Sequence, residues 1–147
     1  MAEQKQSCAF RTSIGGQALI EGILDGTVDM IATDHAPHSE KEKSGGLKNS
    51  VMGISGIETA FSLMYTNFVR TKIFPLEFLI KLMYENPKKR FNIRQDNCFS
   101  VFNLDKEYKI NSQKFLSKGK STPFDNQSVF GECLITVANN KAAWAAM

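Results

Sequence analysis

The sequence predicts an α/β chain that forms part of a parallel (β/α)8 barrel, the TIM barrel, followed by short β-strands. A helix predicted over residues 17–25 is followed by Gly26 and by a short apolar strand over residues 28–33, which together make one αβ unit of such a barrel. The chain has 147 residues, whereas a complete barrel needs roughly 250. The sequence therefore accommodates only part of a barrel.

Two further helices are predicted after this unit. Apolar side chains repeat at helical spacing from Ile57 to Val69, which indicates a core-facing helix near residues 57–70. Pro75 is a favourable first-turn residue and begins a second helix over residues 75–84, which we expect to close at Asn86 and Pro87. The charged, glycine-containing stretch 39–50 is predicted to be a solvent-exposed loop; the alternative is a loop that folds over a substrate, with Gly45-Gly46 permitting the motion.

The last third of the chain is predicted to be rich in β-structure. Short strands are expected over residues 100–104, 107–110, 133–138 and 142–144, the last two joined as a hairpin at Asn139-Asn140. The predicted domain organisation follows from this change of pattern. It comprises an N-terminal segment that is expected to be disordered (1–12), a barrel part (13–95) and a β-rich tail (96–147).

Composition limits the classes of function. The net charge is only +3 at pH 7, and no aromatic interleaving accompanies the basic residues, which argues against a nucleic-acid surface. The three cysteines are scattered outside any Cys-x-x-Cys pattern, as expected for reduced thiols. No stretch approaches the roughly 18 apolar residues of a membrane span. We therefore expect a soluble, cytoplasmic protein.

Residues 33–39 carry the candidate chemistry. An apolar stretch runs directly into Asp34, His35 and His38, with Pro37 stiffening the turn. Enzymes built on (β/α) units place their reactive groups at the carboxyl ends of the strands in this way. The spacing allows a carboxylate and an imidazole to face one small volume. The alternative interpretation of the cluster is a hydrogen-bonded turn without chemistry.

The words Thr-Asp-His-Ala-Pro-His-Ser at 33–39 and Gly-Ile-Ser-Gly-Ile-Glu-Thr-Ala-Phe at 53–61 closely resemble the last barrel strand and following loop of the dihydroorotases. These are metal-dependent cyclic amidases of the amidohydrolase superfamily. The resemblance covers residues 17–124 and implies the C-terminal portion of a TIM barrel, its last strand and helices, followed by strands of a small β-sandwich. It also implies the reversible interconversion of N-carbamoyl-aspartate and dihydroorotate in pyrimidine biosynthesis.

The resemblance assigns roles to four residues. Asp34 matches a metal ligand that also accepts a proton and passes it to the leaving nitrogen. His38 matches a donor to the substrate carboxylate, and main-chain groups around Met52 and Gly53 match the site that meets the dihydropyrimidine ring. His35 is not assigned to the metal and could serve as a hydrogen-bonding group. The implied cofactor is zinc, held as a binuclear site.

The sequence departs from the family pattern in its ligands. The family's His-x-His, its bridging carboxylate and two further His ligands have no counterpart here, and a single Asp cannot close a zinc shell of about four ligands. In the segment 1–12, Ser7 replaces a substrate-facing Asn. We therefore expect a fragment that is inactive alone. Self-association or a partner chain would cover the sheet edges that the fragment leaves exposed.

Two other functions remain open at this stage. The chain could derive from another cyclic amidase such as a hydantoinase, although the Ala36-Pro37-His38 wording favours dihydroorotase. It could also be a non-catalytic remnant of an amidohydrolase that acts as an interaction partner. Assays with dihydroorotate and with hydantoin distinguish the two enzymes. Co-purification with pyrimidine-pathway proteins without bound metal would favour the remnant.

Overall fold

The structure, a computed structural model, describes residues 13–94 and 97–145. Its described residues divide into two compact units, each drawn from two stretches: the first lies within 13–58 and 112–123, and the second within 59–111 and 124–145. The predicted segment 1–12 and the predicted boundary at residues 95–96 lie outside the described residues. No helix within them combines the length and apolar character needed to cross a lipid bilayer.

Helix α1 opens the first unit and confirms the helix predicted over residues 17–25. It spans Ser13–Leu24, so it begins earlier than predicted. Gly26 follows with φ of +85°, the left-handed conformation expected just beyond a helix end. The backbone N–H of Val28 then donates to the carbonyl of Gly22 at 2.7 Å, and Ile23 is buried. These contacts fix the direction in which the chain leaves α1.

The strand predicted over residues 28–33 is not formed, and that prediction was wrong. The first unit instead contains one isolated parallel bridge, between His35 and Ile54, with the N–H of Ala36 donating to the Ile54 carbonyl at 2.9 Å. A barrel strand exists through its hydrogen bonds to strands on either side. No described residue pairs alongside 28–33, so the stretch forms no ladder. The stretch is not helical either. A helix there would have argued against a barrel fragment.

The stretch 39–50, predicted to be a loop, contains two short helices, α2 (Glu40–Lys43) and α3 (Gly46–Asn49). A capping box begins α2. The Ser39 hydroxyl accepts from the Glu42 N–H at 3.3 Å, and the Glu42 carboxylate accepts from the Ser39 N–H at 2.8 Å. This reciprocal arrangement satisfies two otherwise unpaired donors. The Ser-x-x-Glu signal was present in the sequence, and the charged composition obscured it.

The second unit begins with the helix predicted near residues 57–70. Its α-helical part, α4, spans Ala60–Met64 and continues into a π-helical turn over Tyr65–Val69. Ile57, expected on the buried stripe, precedes the helix and is 59% exposed. The side chains that do form the core of this unit come from its helices, connections and sheet: Leu63, Tyr65, Phe68, Phe74, Leu79, Leu82, Ile110 and Val129.

The next helix continues past the point at which the sequence predicts its end. Helix α5 (Leu76–Ile80) leads through a π-helical turn (Lys81–Glu85) into α6 (Asn86–Arg90). A proline inside an α-helix lacks an N–H and collides with the carbonyl four residues earlier. Because a π-turn shifts the hydrogen-bonding register by one residue, it lets the helix pass Pro87. The termination predicted at Asn86-Pro87 was therefore wrong.

The strands of the last third of the chain form an antiparallel sheet in the order β1-β2-β3, made of β1 (Phe99–Lys109), β2 (Ser128–Ala138) and β3 (Lys141–Ala145). The two short strands predicted before residue 111 are the single strand β1. Its pairing with β2 is interrupted between Asn103 and Glu107, which explains the break in the sequence pattern.

A two-residue turn joins β2 to β3, as predicted. Asn139 and Asn140 have φ of +51° and +62°, the sign that a type I′ hairpin requires at both positions. Within the described residues, the outer edges of β1 and β3 pair with no further strand. Phe99 and Val101 on β1 are 57% and 43% exposed, so apolar surface accompanies an open edge.

Candidate functional site

Asp34 lies in the first unit, immediately before the bridge between His35 and Ile54. Its backbone has φ of +46°, the left-handed conformation that a residue with a side chain rarely adopts. The side chain is exposed and makes no hydrogen bond or ion pair within residues 13–94 and 97–145. Asp and Asn adopt a positive φ more readily than most residues with side chains, and here this conformation lies directly before the bridge formed by His35.

His38 is partly buried beside the first turn of α2. Its Nδ1 lies 3.7 Å from Oε1 of Glu42, and a quarter of its side chain is exposed. Hydrogen bonds from the Ser39 hydroxyl and N–H hold the pKa of Glu42 below its ordinary value, and His38 adds to this effect. The ionised carboxylate of Glu42 can therefore accept a proton-bearing Nδ1 of the ring.

The segment 51–54, which we call the strap, contains the two backbone positions predicted to meet substrate. Gly53 has φ of +137° and packs so closely on the preceding segment that a Cβ there would lie 2.7 Å from Cβ of Ala36 and 3.0 Å from Cδ2 of His38. Only glycine fits this position. Met52 is 57% exposed. The structure thus brings His38 and Gly53 together.

Lys43, at the end of α2, holds the strap from its other side. Its Nζ donates to the carbonyls of Val51 and Gly53, both at 2.9 Å, and the N–H of Val51 donates to the Glu42 carbonyl at 3.1 Å. A charged donor makes stronger hydrogen bonds than a neutral one. The strap is therefore fixed at both ends against the segment that carries His38.

His35 connects three parts of the first unit. Its Nδ1 accepts hydrogen bonds from the backbone N–H groups of Gly56 (3.2 Å) and Ile57 (3.3 Å), and its Nε2 lies 3.4 Å from the hydroxyl oxygen of Ser117. The ring is half-buried. This imidazole is thus engaged through both nitrogens with groups at least 21 residues away in the sequence.

Glu58 fixes the stretch that carries Ser117. Its carboxylate accepts from the N–H of Leu116 at 2.7 Å, the N–H of Ser117 at 3.0 Å and the hydroxyl of Ser117 at 2.8 Å. Burial opposes ionisation of Glu58, but these hydrogen bonds outweigh it and, with the positive charge of Lys120, hold its pKa below the ordinary value. Glu58 is an anchored anion.

Gly119 brings the same stretch against the backbone of His38. A Cβ at Gly119 would lie 2.7 Å from the His38 carbonyl oxygen, and the Ser55 hydroxyl donates to the Gly119 carbonyl at 2.5 Å. Sequence reasoning missed Lys43, Glu58, Ser117 and Gly119. Most of their contacts span about 60 to 80 residues and leave no local signal; only the glycine among lysines at 118–120 hints at a close approach.

The site does not provide a metal centre within the described residues. Across residues 13–94 and 97–145, no three His, Cys, Asp or Glu side chains come together in a way that could hold a metal ion. Structural and catalytic zinc sites use at least three protein ligands. The residues present therefore do not by themselves fit the zinc pair that the family resemblance implies.

No family model matches the chain. A dihydroorotase from Fusobacterium nucleatum is 48% identical over an alignment of 147 positions, which covers 95% of this chain and 35% of the relative. A dihydroorotase from Ligilactobacillus salivarius is 43% identical, covering 87% of this chain and 32% of the relative. The chain thus spans about a third of the length of the curated relatives it matches.

Solved structures give a similar result. The L-hydantoinase (dihydropyrimidinase) from Arthrobacter aurescens superposes with a TM-score of 0.80 at 26% identity, covering 92% of this chain and 34% of that one. A dihydropyrimidinase from Brevibacillus agri reaches 0.81 at 14% identity, covering 92% and 32%. The described fold is therefore that of about a third of an amidohydrolase of this kind.

Proposed function

We propose that this chain carries the proton-transfer residue and part of the substrate site of a dihydroorotase-like cyclic amidohydrolase. It corresponds to about a third of the length of the dihydroorotases it matches. The observation that supports this most strongly is the 42–48% identity to dihydroorotases across nearly the whole chain. The reaction would be the reversible opening of dihydroorotate to N-carbamoyl-aspartate.

Asp34 is the proposed catalytic residue. Ring opening forms a bond between a water oxygen and the ring carbonyl carbon and breaks the bond from that carbon to the ring nitrogen. Asp34 would accept the proton that the water loses and return it to the departing nitrogen, as general acid–base catalysis requires. Its exposed side chain and the left-handed backbone that presents it support this role.

His38 and the strap are the proposed substrate-binding groups. The partly open His38 ring would donate to the substrate carboxylate, and the backbone at Met52 and Gly53 would contact the dihydropyrimidine ring. The absence of a side chain at Gly53 supports this assignment, since it allows the strap and the His38 segment to approach each other closely. Lys43 would keep the strap carbonyls in place.

The proposal includes zinc only if ligands from outside the described residues complete its coordination. When bound, it would activate the attacking water and polarise the carbonyl. Asp34 would supply one ligand. Because the described residues assemble no ligand set, the steps above use only side chains of this chain.

We further propose that the chain functions together with additional polypeptide. In that assembly, residues 13–95 would form part of the barrel and residues 96–147 would form part of the β-sandwich. A partner chain or a second copy would cover the open edge of β1, where Phe99 and Val101 are exposed. A cytoplasmic setting belongs to the same proposal, in keeping with three cysteines in no paired pattern.

The isolated chain is expected to hydrolyse no dihydroorotate and to retain no stoichiometric zinc after dialysis, because its described residues offer no closed ligand set. Spectrophotometric assay of dihydroorotate and metal analysis of the dialysed protein test this. Robust turnover, or one tightly held metal ion per molecule, would contradict it. A dihydroorotase from a curated relative, purified in parallel, is the positive control.

A second candidate function is a hydantoinase-like activity, favoured by the likeness to the hydantoinase from Arthrobacter aurescens. Inserting residues 13–145 into the Fusobacterium nucleatum dihydroorotase in place of the matching segment creates a chimera in which both activities can be measured. Preferential turnover of dihydroorotate supports the first proposal, and preferential turnover of hydantoin supports the second. A folded chimera active on neither would favour a non-catalytic remnant.

A further inference from the structure

We propose that His35 is a positioning residue for Asp34: its imidazole, which accepts at Nδ1 and donates at Nε2, fixes the backbone conformation from which Asp34 presents its carboxylate. This inference rests on the proposed function only for the task of Asp34. The conformation and its dependence on His35 are properties of the chain itself. They can be measured without any catalysed reaction.

The hydrogen bonds around His35 determine which nitrogen carries the proton. Two backbone N–H groups, those of Gly56 and Ile57, point at Nδ1, and a backbone N–H can only donate. Nδ1 must therefore be the unprotonated, accepting nitrogen. In a neutral imidazole the proton then resides on Nε2.

The contact at Nε2 independently requires the same tautomer. The Ser117 hydroxyl donates its only proton to Oε1 of Glu58 at 2.8 Å, so toward His35 its oxygen can only accept. Nε2 must then be the donor. The direction of donation runs from His35 to Ser117 to Glu58 and ends on a carboxylate that also accepts two backbone N–H groups. Both ends of the ring are consistent with one protonation state.

This fixed ring holds Asp34 from its C-terminal side. The backbone N–H of His35 donates to the Thr33 hydroxyl at 3.3 Å, across Asp34, and the residue also forms the parallel bridge to Ile54. This hydrogen bond therefore spans Asp34, and the ring of the next residue, His35, has three further contacts, to Gly56, Ile57 and Ser117. Asp is one of the residues that can adopt a positive φ, and we infer that the anchored His35 selects this conformation at position 34.

The first test uses the complete 147-residue chain with nitrogen-15 labelled histidine. NMR of the imidazole nitrogens distinguishes a protonated from an unprotonated ring nitrogen. For His35 we expect the pattern of an unprotonated Nδ1 and a protonated Nε2, with His38 in the same spectrum as an internal comparison. A protonated Nδ1 on His35 would overturn the proposal, and this measurement needs no variant that could fail to fold.

The second test separates the two ends of the ring. His35→Asn places an acceptor near the position of Nδ1, whereas His35→Gln places a donor near Nε2 and offers no matching acceptor to Gly56 and Ile57. We expect His35→Asn to retain the left-handed carbon chemical shifts of Asp34 and slow exchange of both amides. His35→Gln and His35→Ala should lose those shifts and exchange these amides about tenfold faster, as expected for one lost hydrogen bond.

Three results would overturn the proposal. Retention of the Asp34 shifts in His35→Ala would show that the ring does not hold this conformation. Equal losses in His35→Asn and His35→Ala would show that acceptance at Nδ1 is not the cause. Full retention in His35→Gln would show the same. Failure of dihydroorotase activity in the chimera would contradict the proposed function and leave all of these measurements unchanged.

Discussion

Asp34→Asn, in the chimera that carries residues 13–145 within the Fusobacterium nucleatum dihydroorotase, is expected to lower kcat by about 10²–10⁴-fold. That is the range that general acid–base catalysis contributes. Asparagine keeps the size of the side chain and tolerates the left-handed conformation, so the backbone at φ of +46° should survive. The loss would then come from the missing proton acceptor. Steady-state kinetics with dihydroorotate measure it.

His38→Ala in the same chimera is the matched comparison. A donor to the substrate carboxylate acts in the ground state and the transition state alike, so its removal should raise KM and change kcat less. The two variants lie on the same segment, which controls for local disturbance of the fold. If His38→Ala abolished kcat while Asp34→Asn left it intact, proton transfer would belong to the imidazole.

The sequence predicted those parts of the fold whose causes are local. The apolar stripes of the two long helices and the Asn139-Asn140 turn act through neighbours a few residues apart, so periodicity and turn chemistry suffice to find them. Pro87 shows the limit of this reasoning. A π-turn that lets a helix continue past a proline depends on packing of the surrounding helix, which a rule for prolines does not contain.

The strand expected over residues 28–33 failed for a different reason. An apolar run describes a segment suited to the interior of a sheet, but a strand forms only when a neighbouring strand supplies its hydrogen bonds. Within the described residues no strand pairs with 28–33, and one isolated bridge joins the later residue His35 to Ile54. Local sequence cannot report on a partner that lies elsewhere.

The candidate site divides in the same way. Asp34, His38 and Gly53 were found because they lie in two short sequence motifs. Their assigned roles remain proposals. The supporting groups, among them Glu58 and Ser117, were invisible because they meet 59 residues apart in the chain. What the structure adds is therefore the framework around the predicted residues.

Gly53→Ala is expected to lower the free energy that holds the strap against residues 36–38 by about 2–4 kcal/mol. The new Cβ would meet Cβ of Ala36 at 2.7 Å and its carbonyl oxygen at 2.8 Å, and the backbone would retain φ of +137°, a region that alanine rarely adopts. Exchange of the Ala36 amide, which donates to the Ile54 carbonyl, reports directly on this contact in the complete chain.

Gly26→Ala is the matched control, because Gly26 also has a positive φ, +85°, but a Cβ there would meet no atom within 4 Å. Gly26→Ala should lower the free energy of unfolding by only about 1 kcal/mol, the usual conformational penalty of replacing glycine after a helix. The difference between the variants reports the close packing at Gly53 together with its more extreme φ. Equal losses would show that φ alone requires glycine at position 53, whereas the larger loss at Gly53 follows if the strap must lie directly against the His38 segment.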